Sequence, residues 1–134
     1  MKIALDSNRY TDLRRGVAAV VEVIESAGEI YVPLIVVAEQ RAGFAHGTAR
    51  TKNEHALTCF LNNPGVFVLL PDEQTSFFYA DTYAYLRKKG RPIPTNDLWI
   101  AALVIQHNLV LFDRDRDFDA LPQLARLTLP ASRA

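Results

Sequence analysis

The chain carries one cysteine, Cys59, in 134 residues. An intramolecular disulfide is therefore excluded, stability must come from a packed core, and a reducing compartment is the natural setting. Cys59 lies in Ala56-Leu57-Thr58-Cys59-Phe60-Leu61, an apolar context that predicts a buried thiol rather than a nucleophile. Excess charge is missing as well: fifteen basic residues balance fifteen acidic ones. That excludes a protein gripping nucleic acid by bulk basicity. It leaves open a nuclease whose metal supplies the local positive charge. No apolar run is long enough to span a bilayer and the N-terminus shows no hydrophobic signal region, so a soluble cytoplasmic protein without membrane contact is expected. A Gly-rich phosphate loop, a dinucleotide fingerprint and a serine nucleophile elbow are absent. The histidines His46, His55 and His107 share no metal-ligand spacing.

What is present is a chain that is 49% apolar, enough for a real core in one domain, here placed at residues 1–130 with a short tail at 131–134. Its pattern alternates strand and helix. Ile3 to Leu5 reads as a buried strand. Leu13, Val17, Val20, Val21 and Ile24 recur at helical spacing, with Gly28 as a stop. Glu29 to Val32 reads as a second strand, and Pro33 suits the first turn of a helix that carries Glu39 and ends near Gly43 or Gly47. After the polar stretch Thr48 to Asn53, another helix ends at the breaker Asn62-Asn63-Pro64-Gly65. Val66 to Leu70 is a third strand. Asp72 is the expected N-cap of a long helix ending at Lys88-Lys89-Gly90. Thr95 or Asn96 is expected to cap the helix holding Asp97. Leu109 to Phe112 reads as a fourth strand and Leu127 to Leu129 as a possible fifth. Strands separated by helices imply an α/β fold with a mainly parallel sheet of four to five strands, covered on both faces.

Against this frame four acids stand out: Asp6, Glu39, Asp97 and Asp115. Each lies at the edge of a segment that should be buried, where carboxylates are rare unless paired, hydrogen-bonded or bound to a metal. Asp6 and Asp115 follow strands, and ligands of open parallel sheets bind beyond the strands' carboxyl ends. Asp97 occupies a first helical turn, where the helix dipole favours negative charge. A carboxylate cluster without its own cation suggests a hard divalent ion such as Mg²⁺ or Mn²⁺. Without metal such acids repel, so at least one should titrate high.

Each segment also has a plainer reading. Asp6 or Ser7 could simply cap a helix beginning near Thr11, while Ser7 and Asn8 could instead orient Asp6 or water. Glu39 could face solvent on its helix. Thr95, Asn96 and Asp97 supply more polar groups than one cap needs, which leaves Asn96 for an orienting role. Trp99 has apolar neighbours and belongs to the core. Asp113-Arg114-Asp115-Arg116-Asp117 could be a solvated charged loop. A calcium loop starting at Asp113 is rejected, because Phe118 stands where Gly is needed and Leu124 where Glu is needed. An aspartyl-nucleophile phosphatase would want a second Asp where Asn8 stands. Arg87, Lys88, Lys89 and Arg91 read as a solvated helix end that could also meet a phosphate backbone.

Taken together, Leu5-Asp6-Ser7-Asn8, Ala38-Glu39-Gln40-Arg41-Ala42-Gly43, the stretch Gly90 to Ala102 and Asp113 to Phe118 resemble a PIN-domain ribonuclease, specifically a VapC-like toxin of a type II toxin–antitoxin pair. The resemblance spans nearly the whole chain and is most specific in Pro94-Thr95-Asn96-Asp97-Leu98-Trp99-Ile100-Ala101-Ala102. It implies a three-layer α/β/α sandwich and matches Asp6, Glu39, Asp97 and Asp115 to the family's acidic quartet, with Asp6, Asp97 and Asp115 on the metal and Asp117 the alternative fourth acid. It also implies Mg²⁺- or Mn²⁺-dependent RNA cleavage, a homodimer, and a cognate VapB-like antitoxin that blocks the site. Two departures stand: Asp113 replaces the family's usual Thr or Ser, and Ser7 replaces a commoner Thr. A DNA-directed nuclease on the same scaffold and a non-enzymatic acidic cleft for an arginine-rich partner are the alternatives.

Overall fold

In the computed structural model, which describes residues 1–129, five parallel strands form one sheet in the order β3-β2-β1-β4-β5. The strands are β1 (Lys2–Leu5), β2 (Glu29–Pro33), β3 (Val66–Leu69), β4 (Val110–Phe112) and β5 (Arg126–Leu127). Six helices connect them: α1 (Ser7–Arg14), α2 (Ala18–Ser26), α3 (Leu34–Ala45), α4 (Arg50–Leu61), α5 (Glu73–Lys89) and α6 (Thr95–Gln106). A 3₁₀ turn, Arg116–Ala120, follows β4. The chain winds outward from β1 through β2 to β3, then crosses back to place β4 on the other side of β1. The order of winding reverses between β1 and β4, and the crevice beyond their carboxyl ends is where such a sheet offers a ligand site. The tail at 131–134 falls outside the described residues.

The central strand is buried throughout its apolar part: Ile3, Ala4 and Leu5 are almost fully covered. In the same core α6 is apolar nearly all round, with Leu98, Ile100, Ala101, Ala102, Leu103 and Val104 buried. A helix of that kind is held by packing, since each fully buried Leu or Ile contributes about 1.5–3 kcal/mol. Trp99 is half-buried and packs its ring against Tyr79 at 4.5 Å, which agrees with a packing role.

The structure departs from the expected elements at four places. The segment expected as one helix from Leu13 to Ile24 is two, because the chain turns at Gly16, whose φ of +73° suits a residue without a side chain. The first of these begins at Ser7, not near Thr11. Neither Thr95 nor Asn96 caps α6: Pro94 occupies the N-cap position without a side-chain cap, and helical hydrogen bonding starts from its carbonyl to the Leu98 N–H at 3.1 Å. Cys59 is exposed, not buried, because the buried face of α4 passes through Leu57 and the thiol points outward beside His55. Asp72 does cap α5, accepting the Thr75 N–H at 3.0 Å while Thr75 Oγ1 accepts the Asp72 N–H, and Gly90 closes that helix with φ +67°.

Candidate metal centre

Four separate stretches bring acids to the crevice at the β1–β4 switch point. Asp6 is the first residue after β1, with its N–H bonded to the Phe112 carbonyl at 3.1 Å, so the ladder itself fixes its backbone. It holds the N-cap position of α1 in an extended conformation, but its carboxylate makes no capping hydrogen bond. The cap reading therefore does not account for this carboxylate. Glu39 projects from the middle of α3, and Ser7 Oγ donates to its Oε1 at 3.0 Å. Gln40 Nε2 donates to the Ser7 carbonyl at 3.1 Å, tying α3 to the start of α1. Asp97 lies in the first turn of α6 and is buried, though no side chain caps that helix. Asp115 precedes the 3₁₀ turn and accepts the Asp117 N–H at 2.9 Å.

These groups line one open cleft of about 510 Å³ together with Ser7, Asn8, Pro94, Thr95 and Asn96. Five carboxylates face it, from Asp6, Glu39, Asp97, Asp115 and Asp117, and no Lys or Arg lines it. Asp97, Asp115 and Asp117 can each offer an oxygen with all three atoms within 4.8 Å of one another. Every residue expected at the site is thus at the cleft, and Asp115 and Asp117 both reach Asp97. Asp6 lies in the cleft but outside that tightest group. The sequence reading did not single out Asp12 or Arg126, which fold the acidic loop against the sheet. An Arg at the start of a strand that follows an acid-rich turn is the signal that could have pointed to the second.

Electrostatics follow from crowding without cations. Burial pushes the Asp6 carboxyl up from 3.8 to about 7, with the charges of Asp113, Glu39 and Asp115 adding to the effect. Asp97 also rises to about 7, through burial first and then the charges of Asp115, Asp6, Asp117 and Glu39. The expectation that a metal-free cluster contains an acid titrating high is met by both. All donors are hard oxygens and come as carboxylates, the set that suits Mg²⁺ or Mn²⁺ and ill suits a thiophilic ion.

Residues 5–124 match the family model described as PIN domain. The chain belongs to the PIN-domain family. Among its relatives, the ribonuclease VapC1 of Haemophilus influenzae strain R2866 is 44% identical over 59 residues, covering 39% of this chain and 44% of the relative. The aligned part is therefore less than half of that relative's length. Over the whole PIN domain, the structure of VapBC-1 from nontypeable Haemophilus influenzae superimposes with a TM-score of 0.84 at 26% identity, covering 95% of this chain and 97% of that one. VapBC2 from Rickettsia felis, solved bound to a DNA fragment from its promoter, gives a TM-score of 0.85 at 24% identity, covering 95% and 98%, which speaks for the fold. No helix among the described residues is long and apolar enough to cross a membrane.

Proposed function

We propose that this PIN domain is a metal-dependent endoribonuclease, the toxin of a toxin–antitoxin pair. One observation carries the reading: five carboxylates converge on the switch-point cleft without a single cation, and three of them can meet within 4.8 Å. Such an arrangement costs stability in the metal-free fold and is sensible as a receptor for a divalent ion. Similarity to the ribonuclease VapC1 supports RNA as the substrate. Likeness to a VapBC-1 structure supports a VapB-like antitoxin as partner. The protein would act in the cytoplasm, where its RNA lies, as a homodimer.

In this reading Asp6, Asp97 and Asp115 would hold Mg²⁺ or Mn²⁺, with Asp117 near enough to Asp97 and Asp115 to join. When bound, the ion would supply positive charge toward the phosphodiester and lower the pKa of a water molecule. Glu39 is anchored by Ser7 and is assigned to positioning the attacking water. Asn8 and Asn96 are neutral donors at the cleft wall, suited to phosphate oxygens that the carboxylates would repel. The crowded acids also keep RNA from the cleft until the ion is present.

Purified protein incubated with RNA and Mn²⁺ or Mg²⁺, with EDTA, with DNA of the same sequence, and beside Asp97→Asn tests this. Cleavage confined to RNA, requiring metal and lost in the variant, is expected. Equal cleavage by the variant would refute the assignment of Asp97. Cleavage of DNA alone would replace the substrate class, and binding of a basic peptide without any cleavage would favour an acidic docking cleft.

A further inference from the structure

The loop bearing Asp115 and Asp117 is held by one arginine reaching back from the far edge of the sheet. Arg126 opens β5. Its Nε donates to Asp113 Oδ1 at 3.0 Å, and its Nη2 donates to Asp113 Oδ2 at 2.7 Å and to the Asp115 carbonyl at 3.0 Å. Its Nη1 engages the exposed Asp119. Asp113 is 3% exposed, and its Oδ2 also accepts the Asp115 N–H at 3.0 Å. One guanidinium and one carboxylate thus grip both the N–H and the C=O of Asp115, in the planar two-point geometry that only arginine supplies. Asp113 adjoins the cleft.

We propose that Arg126 is a positioning residue for the acidic centre: by clamping the Asp113 side chain and the Asp115 backbone, it holds the Asp115 and Asp117 carboxylates against Asp97 and so sets the affinity for the divalent ion. This rests on the metal-nuclease reading above. Partners that orient a ligand without touching the ion are typically worth about 10–100-fold in metal affinity. A purely structural role would lower stability and leave affinity alone.

The test is calorimetric titration of Mn²⁺ into the full chain, beside thermal unfolding in EDTA. Arg126→Gln is expected to bind Mn²⁺ at least about tenfold more weakly than wild type. Arg126→Lys, which keeps the charge and loses the fork, should fall between them. Asp113→Asn with Arg126→Gln restores the local charge balance without restoring the clamp, so it should bind Mn²⁺ no more tightly than Arg126→Gln. Wild-type affinity in Arg126→Gln with only a lower melting temperature would overturn the proposal, as would a double variant with wild-type affinity. If Arg126→Gln does not fold, the lysine and double variants decide by the same comparison. Wild-type protein that binds no Mn²⁺ would overturn the metal reading and this proposal with it, an outcome distinct from a failure confined to Arg126.

Discussion

Two sets of carboxylates sit side by side at the carboxyl end of the sheet, and the fold treats them differently. Asp12, Asp113 and Asp119 are each met by arginine: Asp12 by Arg9 at 3.1 Å and Arg114 at 2.9 Å, the other two by Arg126. Asp6, Glu39, Asp97, Asp115 and Asp117 take part in no ion pair among the described residues. Two acids of each set shift, and in opposite directions: Asp12 and Asp119 down, Asp6 and Asp97 up. Burial alone would raise Asp12, but hydrogen bonds and charge from Arg114 and Arg9 outweigh it and hold its carboxyl below the usual range. Asp6 and Asp97, buried without such partners, rise to about 7. A chain able to place arginines over three acids has left five without any. The unpaired set is the one that faces the cleft. Paired acids hold the loop, and unpaired acids form a group that could take up a cation.

Removing a charge from the unpaired set should have the largest effect. Asp97→Asn should lower RNA cleavage at saturating Mn²⁺ by at least about a hundredfold, read in a single-turnover assay. Metal should act on stability as well: Mn²⁺ at a hundredfold excess over its Kd should stabilise the fold by about 2.7 kcal/mol, visible as a higher melting temperature. An unchanged melting temperature at every concentration tried would count heavily against a metal centre.

Neutralising one acid from each set should move stability in opposite directions. Asp12→Asn weakens two arginine contacts and should cost about 1–3 kcal/mol by urea unfolding. Asp6→Asn in EDTA near pH 8 should instead stabilise the fold, because it removes a buried charge without a partner. Equal destabilisation by both would erase the distinction.

The pH dependence sharpens the same contrast. The folded values for Asp6 and Asp97 lie near 7 against an ordinary 3.8, so the folded protein holds those protons more tightly. Their contribution to stability is complete below about pH 4 and is lost as pH rises through about 7. Asp12, lowered, contributes above its ordinary range and loses that contribution as pH falls below it. Metal-free protein should therefore melt higher near pH 5.5 than near pH 8, and Asp6→Asn should reduce the difference. The smallest effect is the surface pair Arg41–Glu54, 3.0 Å apart with side chains 50% and 41% exposed. Arg41→Ala should cost less than about 1 kcal/mol in the same unfolding experiment.

Much of the fold was legible because its signals are local. Alternating apolar runs marked the five strands within one or two residues at most ends, and Asp72 and Gly90 bounded α5 through cap chemistry that acts over three residues. The site residues were legible because carboxylates beside buried strands are anomalous wherever the chain goes. What escaped depends on tertiary placement. The apolar spacing across Gly16 continues unbroken although the backbone turns there. Cys59 sits in an apolar run, yet which side of α4 meets the core is decided by neighbouring elements. The cap of α6 failed as an expectation because Pro94 can open a helix without a polar side chain. Arg126 and Asp113 lie thirteen positions apart and meet only once β4 and β5 are paired.

The unpaired acids are proposed to be a built metal centre and not a solvated patch. Unfolding free energies of wild type and Asp97→Asn, measured near pH 8 in EDTA and again in saturating Mn²⁺, test it most directly. A crossing is expected: Asp97→Asn is the more stable protein in EDTA, where a buried unpaired charge has been removed, and the less stable one in Mn²⁺, where a ligand is missing. The same order of stability in both solutions, with the gap unchanged, would contradict it.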